Sequence, residues 1–360
     1  MNTVLEKIRD VAQEIKDKIM HLNPPSLNIP VRALSNVEYN PKKGYFELKQ
    51  SRKKRTLTAA TSRSFAQSLR MLELSNTLIK NDDIATKREA YYTAYNWEDA
   101  GFKNQPESDN VMDDIEAMLG VNREQMGFVP EEKGGDVAGD LVVVDRDPET
   151  KQEIKIDCKK MGSGAYSIPS SVEHLGFETN AKAIIAIETA GMFQRLVKHK
   201  FWKKSESILV SMGGVPTRAC RRFIRRLSDA KNLPVYVFTD GDFYGYMNIY
   251  RTLKVGSGNA AHINEFFCVP NARFIGVTPD DIVDYKLPTH PLKEVDIKRG
   301  KDALKNDPFV KYHKEWQEAI KKQIKLGKRA EQQAFAKYDL NYVINNYLPD
   351  KLNNPKKWLP

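Results

Sequence analysis

Three short apolar runs, at residues 183–187, 208–212 and 235–238, constrain this chain more than any other feature. Runs of four or five residues without polar alternation read as strands buried on both faces. Helical periodicity fills residues 192–202 and 217–227 between them, and residues 274–277 supply a fourth strand. Strand and helix in alternation predict an α/β fold whose mainly parallel sheet is flanked by helices.

Acids stand where such a sheet collects ligands. Glu188 directly follows the first run, and Asp240-Gly241-Asp242 follows the third after Thr239. In open parallel sheets, ligands bind beyond the carboxyl ends of the strands. If the two strands are neighbours, three carboxylates point into one small volume. They cannot all stay ionised there without a cation. Hard oxygen donors in that number suit Mg²⁺, which keeps waters and takes substrate phosphates. Taken singly, each acid reads more readily as a helix cap or a solvated strand end. Neither G-x-x-x-x-G-K-[ST] nor G-x-G-x-x-G occurs, so the metal would serve a substrate carrying its own phosphates.

Upstream, residues 65–135 read as three short helices. Phe65, Leu69, Leu72 and Ile79 share a face of the first. Thr86 and Glu89 form a T-x-x-E box that starts the second. Asp109 introduces the third, which Gly120 ends. Two β-rich runs, at 140–144 and 153–157, flank a turn at Asp147-Pro148 and read as a hairpin. Three helices and a hairpin suggest a winged-helix (CAP-like) DNA-docking module. On the second helix, Ala90, Ala94 and Trp97 line the core side. Tyr92 and Arg88 lie opposite, one turn apart, and are expected to meet in solvent. Tyr91, nearer the flank, suits packing. A phenol beside a guanidinium suits phosphoryl transfer, because the planar fork grips the phosphate. Two surface tyrosines without chemistry are the plainer reading.

The first 66 residues look like an arm. Val4, Ile8, Val11, Ile15 and Ile19 fall at helical spacing, and the stripe fits either the chain's own core or a partner protein. Residues 52–55, Arg-Lys-Lys-Arg, fit either a solvated loop or a phosphate contact. The arginines of residues 218–226 fit either a solvated outer face or the wall of a DNA channel. A net charge of +10 over 360 residues favours a polyanionic partner, nucleic acid or an acidic membrane surface. No apolar run is long enough to span a bilayer, which weakens the membrane option. The three cysteines match no zinc or redox spacing and read as reduced cytosolic thiols. His262 and His290, each placed singly, read as structural.

With these residues assembled, the sequence resembles the A subunits of archaeal DNA topoisomerase VI, kin to the meiotic double-strand-break protein. The resemblance runs from Phe65 to the C-terminal helices. It is carried by TKREAYY at residues 86–92, AIIAIETAGMFQRL at 183–196 and TDGDFYGYMNIYRTLKVGS at 239–257. It implies a Toprim domain whose metal site falls on Glu188, Asp240 and Asp242. It also implies that Tyr92 attacks DNA to form a 5′ phosphotyrosyl link, with Arg88 the arginine of that motif. Many relatives carry proline after the second aspartate, where this chain has Phe243, which leaves the rigidity of that loop open. The resemblance further implies a homodimer in which one copy's tyrosine meets the other's metal site. An ATPase B subunit would complete an A2B2 heterotetramer working on duplex DNA, cytoplasmic and nucleoid-associated, with no membrane partner. The expected domains are an arm at 1–66, a winged-helix domain at 67–135 with the hairpin extending to about residue 160, and a Toprim domain with C-terminal helices at 136–360. Two other readings remain at this point: a metal-only Toprim nuclease that hydrolyses phosphodiesters without a covalent tyrosine, and a non-catalytic DNA-binding scaffold.

Overall fold

The structure, a computed structural model, describes residues 3–360. The chain forms two compact units. One comprises residues 1–38, 46–131 and 257–266; the other comprises 39–45, 132–256 and 267–360.

In the first unit, α1 (Thr3–Met20) lies on the chain's own core. Val4, Ile8 and Ile15 are buried, whereas Ile19 is exposed, so self-docking uses most of the apolar stripe. An antiparallel pair follows, β1 (Ser26–Pro30) with β2 (Arg52–Thr56). The basic run 52–55 is therefore a strand, and no loop. Its Arg55 and Lys53 reach Asp114 at 3.0 and 3.1 Å. Next come α2 (Ser62–Asn81), β3 (Ala85–Thr86) and α3 (Lys87–Thr93). The expected capping box starts α3: Thr86 Oγ1 accepts from the Glu89 N–H, and Glu89 Oε2 accepts from the Thr86 N–H. The third helix, α4 (Gln105–Leu119), begins four residues before Asp109. Asn104 caps it by accepting from the Glu107 N–H, and Pro106 fits the first turn, where its missing N–H costs nothing. Gly120 ends it in the left-handed conformation, at φ 58°. A short β4 (Phe128–Val129) pairs in parallel with β3. His262 is structural, its Nε2 3.0 Å from Glu116 Oε2 inside this unit.

The second unit holds β5 (Asp136–Gly139), β6 (Val142–Arg146), β7 (Glu153–Asp157), β8 (Tyr166–Ser167), β9 (Gly176–Glu178), β10 (Ala183–Ile187), α5 (Ala190–Lys198), β11 (Ser207–Ser211), α6 (Arg218–Lys231), β12 (Val235–Phe238), β13 (Arg273–Gly276) and α7 (Lys314–Leu326). The hairpin forms as expected, in register from Val142 opposite Asp157 to Arg146 opposite Glu153. It belongs to this unit, in a three-stranded sheet ordered β9-β6-β7, and not with the three helices. The main sheet is ordered β8-β5-β11-β10-β12-β13. Strands β11, β10, β12 and β13 run parallel; at one side β5 pairs antiparallel with β11, and β8 pairs antiparallel with β5. Every residue of β10 and β11 is buried, as strands covered on both faces require. Central β10 lies directly beside β12, which is the condition for Glu188 and Asp240 to meet.

Candidate metal centre and tyrosine helix

Burial of β10 and β12 delivers their acids to one sheet end. Glu188 leaves β10 with its N–H donated to Phe238 O at 3.0 Å, prolonging the ladder past the strand. Its Oε2 accepts from the Asp240 N–H at 2.8 Å. Asp240 Oδ1 accepts from the Gln332 N–H at 2.8 Å. Asp242 Oδ1 accepts from the Gly245 N–H at 2.8 Å, capping the irregular helical turn Gly245–Tyr250. Its Oδ2 lies 3.7 Å from Arg329 Nη1. Burial, then the neighbouring Asp240 carboxylate, pushes Glu188 up to about 8. Burial likewise pushes Asp240 up to about 6, against the opposing Gln332 hydrogen bond. Both are the response of acids crowded in a poorly solvated space without enough positive charge.

Between the aspartates, Gly241 is held on both sides. A Cβ there would lie 3.1 Å from Val277 Cγ1 and from Val277 O, so the small residue permits close passage. Phe243 settles the rigidity of the loop. It is fully buried, edge-on to Tyr246 at 6.1 Å, and against Gly300, where an added Cβ would come within 2.7 Å of its ring. The buried aromatic ring anchors the segment after Asp242.

The donor chemistry fits a divalent cation: carboxylate oxygens, two of them disfavoured as anions without one. Among the described residues, no three acidic, histidine or cysteine side chains close a ready-made cage.

On α3 the two tyrosines differ. Tyr91 is half-buried, and its hydroxyl lies 3.1 Å from the Tyr95 hydroxyl, which raises its pKa. Tyr92 is 57% exposed, and among the described residues its hydroxyl has no hydrogen-bond partner. Ala90, Ala94 and Trp97 are buried, as the wheel requires. Arg88 is exposed, yet the neighbours of the Tyr92 ring are Tyr91 at 5.6 Å and Tyr95 at 6.2 Å. Among the described residues no hydrogen bond or cation–π contact joins Arg88 to Tyr92, although both are exposed. The motif gives Tyr95 no role, although its i, i+4 spacing from Tyr91 is the signal for the contact it makes.

The basic helix α6 turns its arginines to internal partners. Arg222 grips Glu173 through two nitrogens at 2.6 and 2.8 Å, and Arg225 donates to Cys268 O at 2.7 Å. Arg218 stacks 4.5 Å from the Phe267 ring centroid. All three cysteines are buried and unpaired.

Comparison with known proteins decides the family. Residues 183–352 match the model for the Toprim domain of the topoisomerase 6 A subunit/Spo11. Residues 131–181 match the all-beta domain in DNA topoisomerase VI alpha subunit, and 63–128 match type IIB DNA topoisomerase. The A subunit of type 2 DNA topoisomerase 6 from Methanocaldococcus jannaschii is 52% identical over 99% of this chain and 96% of its own length. The chain belongs to the family of topoisomerase VI A subunits. Similar A subunits from Methanothermobacter thermautotrophicus and Pyrococcus abyssi are 38% and 36% identical, over 97% and 98% of this chain and 96% and 94% of theirs. As a topoisomerase VI A subunit, the chain is the catalytic subunit of a type IIB DNA topoisomerase. Membership implies a DNA substrate, a divalent metal at the Toprim domain and a B subunit. The hairpin's place in the second unit also gains a reason, because the all-beta match begins and ends around it. No described helix is long and apolar enough to cross a membrane.

Proposed function

We propose that Tyr92 is the nucleophile that joins this chain to DNA, and that Glu188, Asp240 and Asp242 hold Mg²⁺ for the reaction. The contrast between adjacent tyrosines carries the assignment: Tyr91 is hydrogen-bonded to Tyr95, while Tyr92 is exposed with an unengaged hydroxyl. The Tyr92 oxygen bonds to phosphorus as the bond from phosphorus to the 3′ oxygen breaks. The phenolic proton is lost, and the departing oxygen gains one to become a 3′ hydroxyl. The chain is left on the 5′ phosphate, and reversal reseals the strand without an external energy source. Arg88, one turn before Tyr92 and exposed, would grip the phosphate by its planar fork. When bound, Mg²⁺ supplies stabilisation of charge on the transferring phosphoryl group.

The helical first unit would dock DNA, and the second would supply the acids. Two copies would each offer Tyr92 to the other's acids and cut both strands. Passing a second duplex needs a driven conformational change, and the sequence has no phosphate-cradling loop for ATP. An ATPase B subunit, in an A2B2 assembly, would supply that drive for relaxation or decatenation.

The test is adduct trapping on supercoiled plasmid with Mg²⁺ and ATP, with and without the B subunit. Denaturation-resistant protein–DNA adducts that need Mg²⁺, and relaxation that needs the B subunit, are expected. Cleavage that survives EDTA, or ATP-dependent relaxation by the purified chain alone, contradicts the proposal.

A further inference from the structure

Within the second unit, residues 323–332 contact each residue of the Asp240-Gly241-Asp242 turn. Gly241 donates its N–H to Ala330 O at 2.7 Å, and Gly241 O accepts from Gln323 Nε2 at 3.1 Å. Arg329 faces Asp242, and the Gln332 N–H holds Asp240. Gln332 is completely buried, and both polar atoms of its side chain are hydrogen-bonded. Its Nε2 donates to Phe238 O at 2.9 Å, at the end of β12, and its Oε1 accepts from Thr189 Oγ1 at 2.9 Å, just past Glu188. One amide thus spans the ends of both acid-bearing strands, while the same residue's backbone holds a carboxylate.

Taking the metal assignment above as its basis, we infer that Gln332 is a positioning residue, which fixes the spacing of Glu188 and Asp240 for a divalent cation. It acts through Asp240 and Thr189 and touches neither DNA nor metal. Its amide can donate and accept at once, which is what bridging a carbonyl and a hydroxyl demands. Fixing Gln332 fixes its N–H, and this N–H orients the Asp240 carboxylate so that its other oxygen is left for the cation. Groups that orient metal ligands from behind change metal affinity by about 10–100-fold when removed.

The measurement is Mn²⁺ binding to the full-length chain by electron paramagnetic resonance, with Mg²⁺ as competitor, beside melting in EDTA. Gln332→Leu keeps the volume but loses both hydrogen bonds. Gln332→Asn keeps the amide but falls one methylene short, which preserves a test should the leucine variant fail to fold. Both are expected to bind Mn²⁺ about ten-fold more weakly. A merely structural role would lower the melting temperature and leave the affinity of the folded protein unchanged. Asp240→Asn is measured alongside and is expected to lose most binding. Wild-type affinity in a folded Gln332 variant, with Asp240→Asn impaired, overturns the inference alone. Wild-type affinity in Asp240→Asn overturns the metal assignment itself.

Discussion

Glu188 Oε2 accepts a hydrogen bond from the Asp240 backbone N–H at 2.8 Å, so the acid that ends one strand grips the main chain that ends its neighbour. The bond orients one carboxylate while bringing it nearer to two others. Glu188→Gln keeps the acceptor and removes the cost of folding an acid whose pKa is pushed up to about 8. The variant's metal-free melting temperature is expected to rise by about 2–4 °C, roughly what 1 kcal/mol gives in a unit of this size. Mg²⁺ should stabilise the wild type and add almost nothing to the variant. Differential scanning calorimetry in EDTA and in Mg²⁺ checks both signs; a Mg²⁺ response equal to the wild type's would remove Glu188 from the metal site.

Phe243 is expected to be worth more to stability than its place between functional residues suggests. Its ring is fully buried, and Phe→Ala at such sites costs about 3–5 kcal/mol. Urea denaturation of Phe243→Ala should show that loss, with weaker Mg²⁺ binding because Asp242 loses its anchored neighbour. A loss under about 1 kcal/mol, the size of an ordinary surface effect, would mean that the loop is held without the ring.

Deleting residues 1–24 is expected to destabilise the first unit, since it removes Val4, Ile8 and Ile15 from the core. A milder probe of the same packing is Ile8→Ala, with an expected cost of about 2–4 kcal/mol by chemical denaturation. Partner binding through this helix is therefore better sought at its exposed end, where Ile19 and Met20 are 53% and 71% accessible. Changing both to Lys, a charge that suits a helix C-terminus, should change stability by no more than about 0.5 kcal/mol each, and should weaken capture of a B subunit if that end makes the contact.

Lys254 gives a pH signature. It is buried, donates to Pro270 O and Ala272 O at 2.8 and 2.7 Å, and is pushed down to about 7 by burial. In the unfolded chain it takes up its proton below about 10.4. Between these values the unfolded chain binds more protons, so this group's contribution to stability rises with pH from about 7 upward. Relative to Lys254→Met, the wild type should gain up to about 1.4 kcal/mol per pH unit between about pH 7 and 9. A gap constant across that range would mean that the carbonyls keep Lys254 protonated.

The sheet and its acids are legible in the sequence because strand ends are where chain order and spatial position coincide. Glu188 and Asp240 follow runs with no polar alternation, and neighbouring strands bring them together. Gln332 and Arg329 are not legible: about ninety residues separate them from the aspartates, and no periodicity links a charged C-terminal stretch to a distant turn. The hairpin declares itself but not its neighbours, because strand pairing is local whereas packing is not; it joins the second unit rather than the three helices. The start of α4 is written in Asn104, Pro106 and Glu107, a capping pattern stronger than the one at Asp109. Arginines on α6 show their helical face in sequence, but their partners Glu173, Phe267 and Cys268 lie on other segments.

Mapping the covalent adduct tests the account most directly. Trapped protein–DNA complex, formed with Mg²⁺ and the B subunit, is digested with nuclease and protease, and the nucleotide-bearing peptide is sequenced by mass spectrometry. The expected result is a 5′-phosphonucleotide on Tyr92, no adduct from Tyr92→Phe despite near-normal DNA binding, and substantial adduct from Tyr91→Phe. A nucleotide on Tyr91 or Tyr95, or undiminished adduct from Tyr92→Phe, would contradict it.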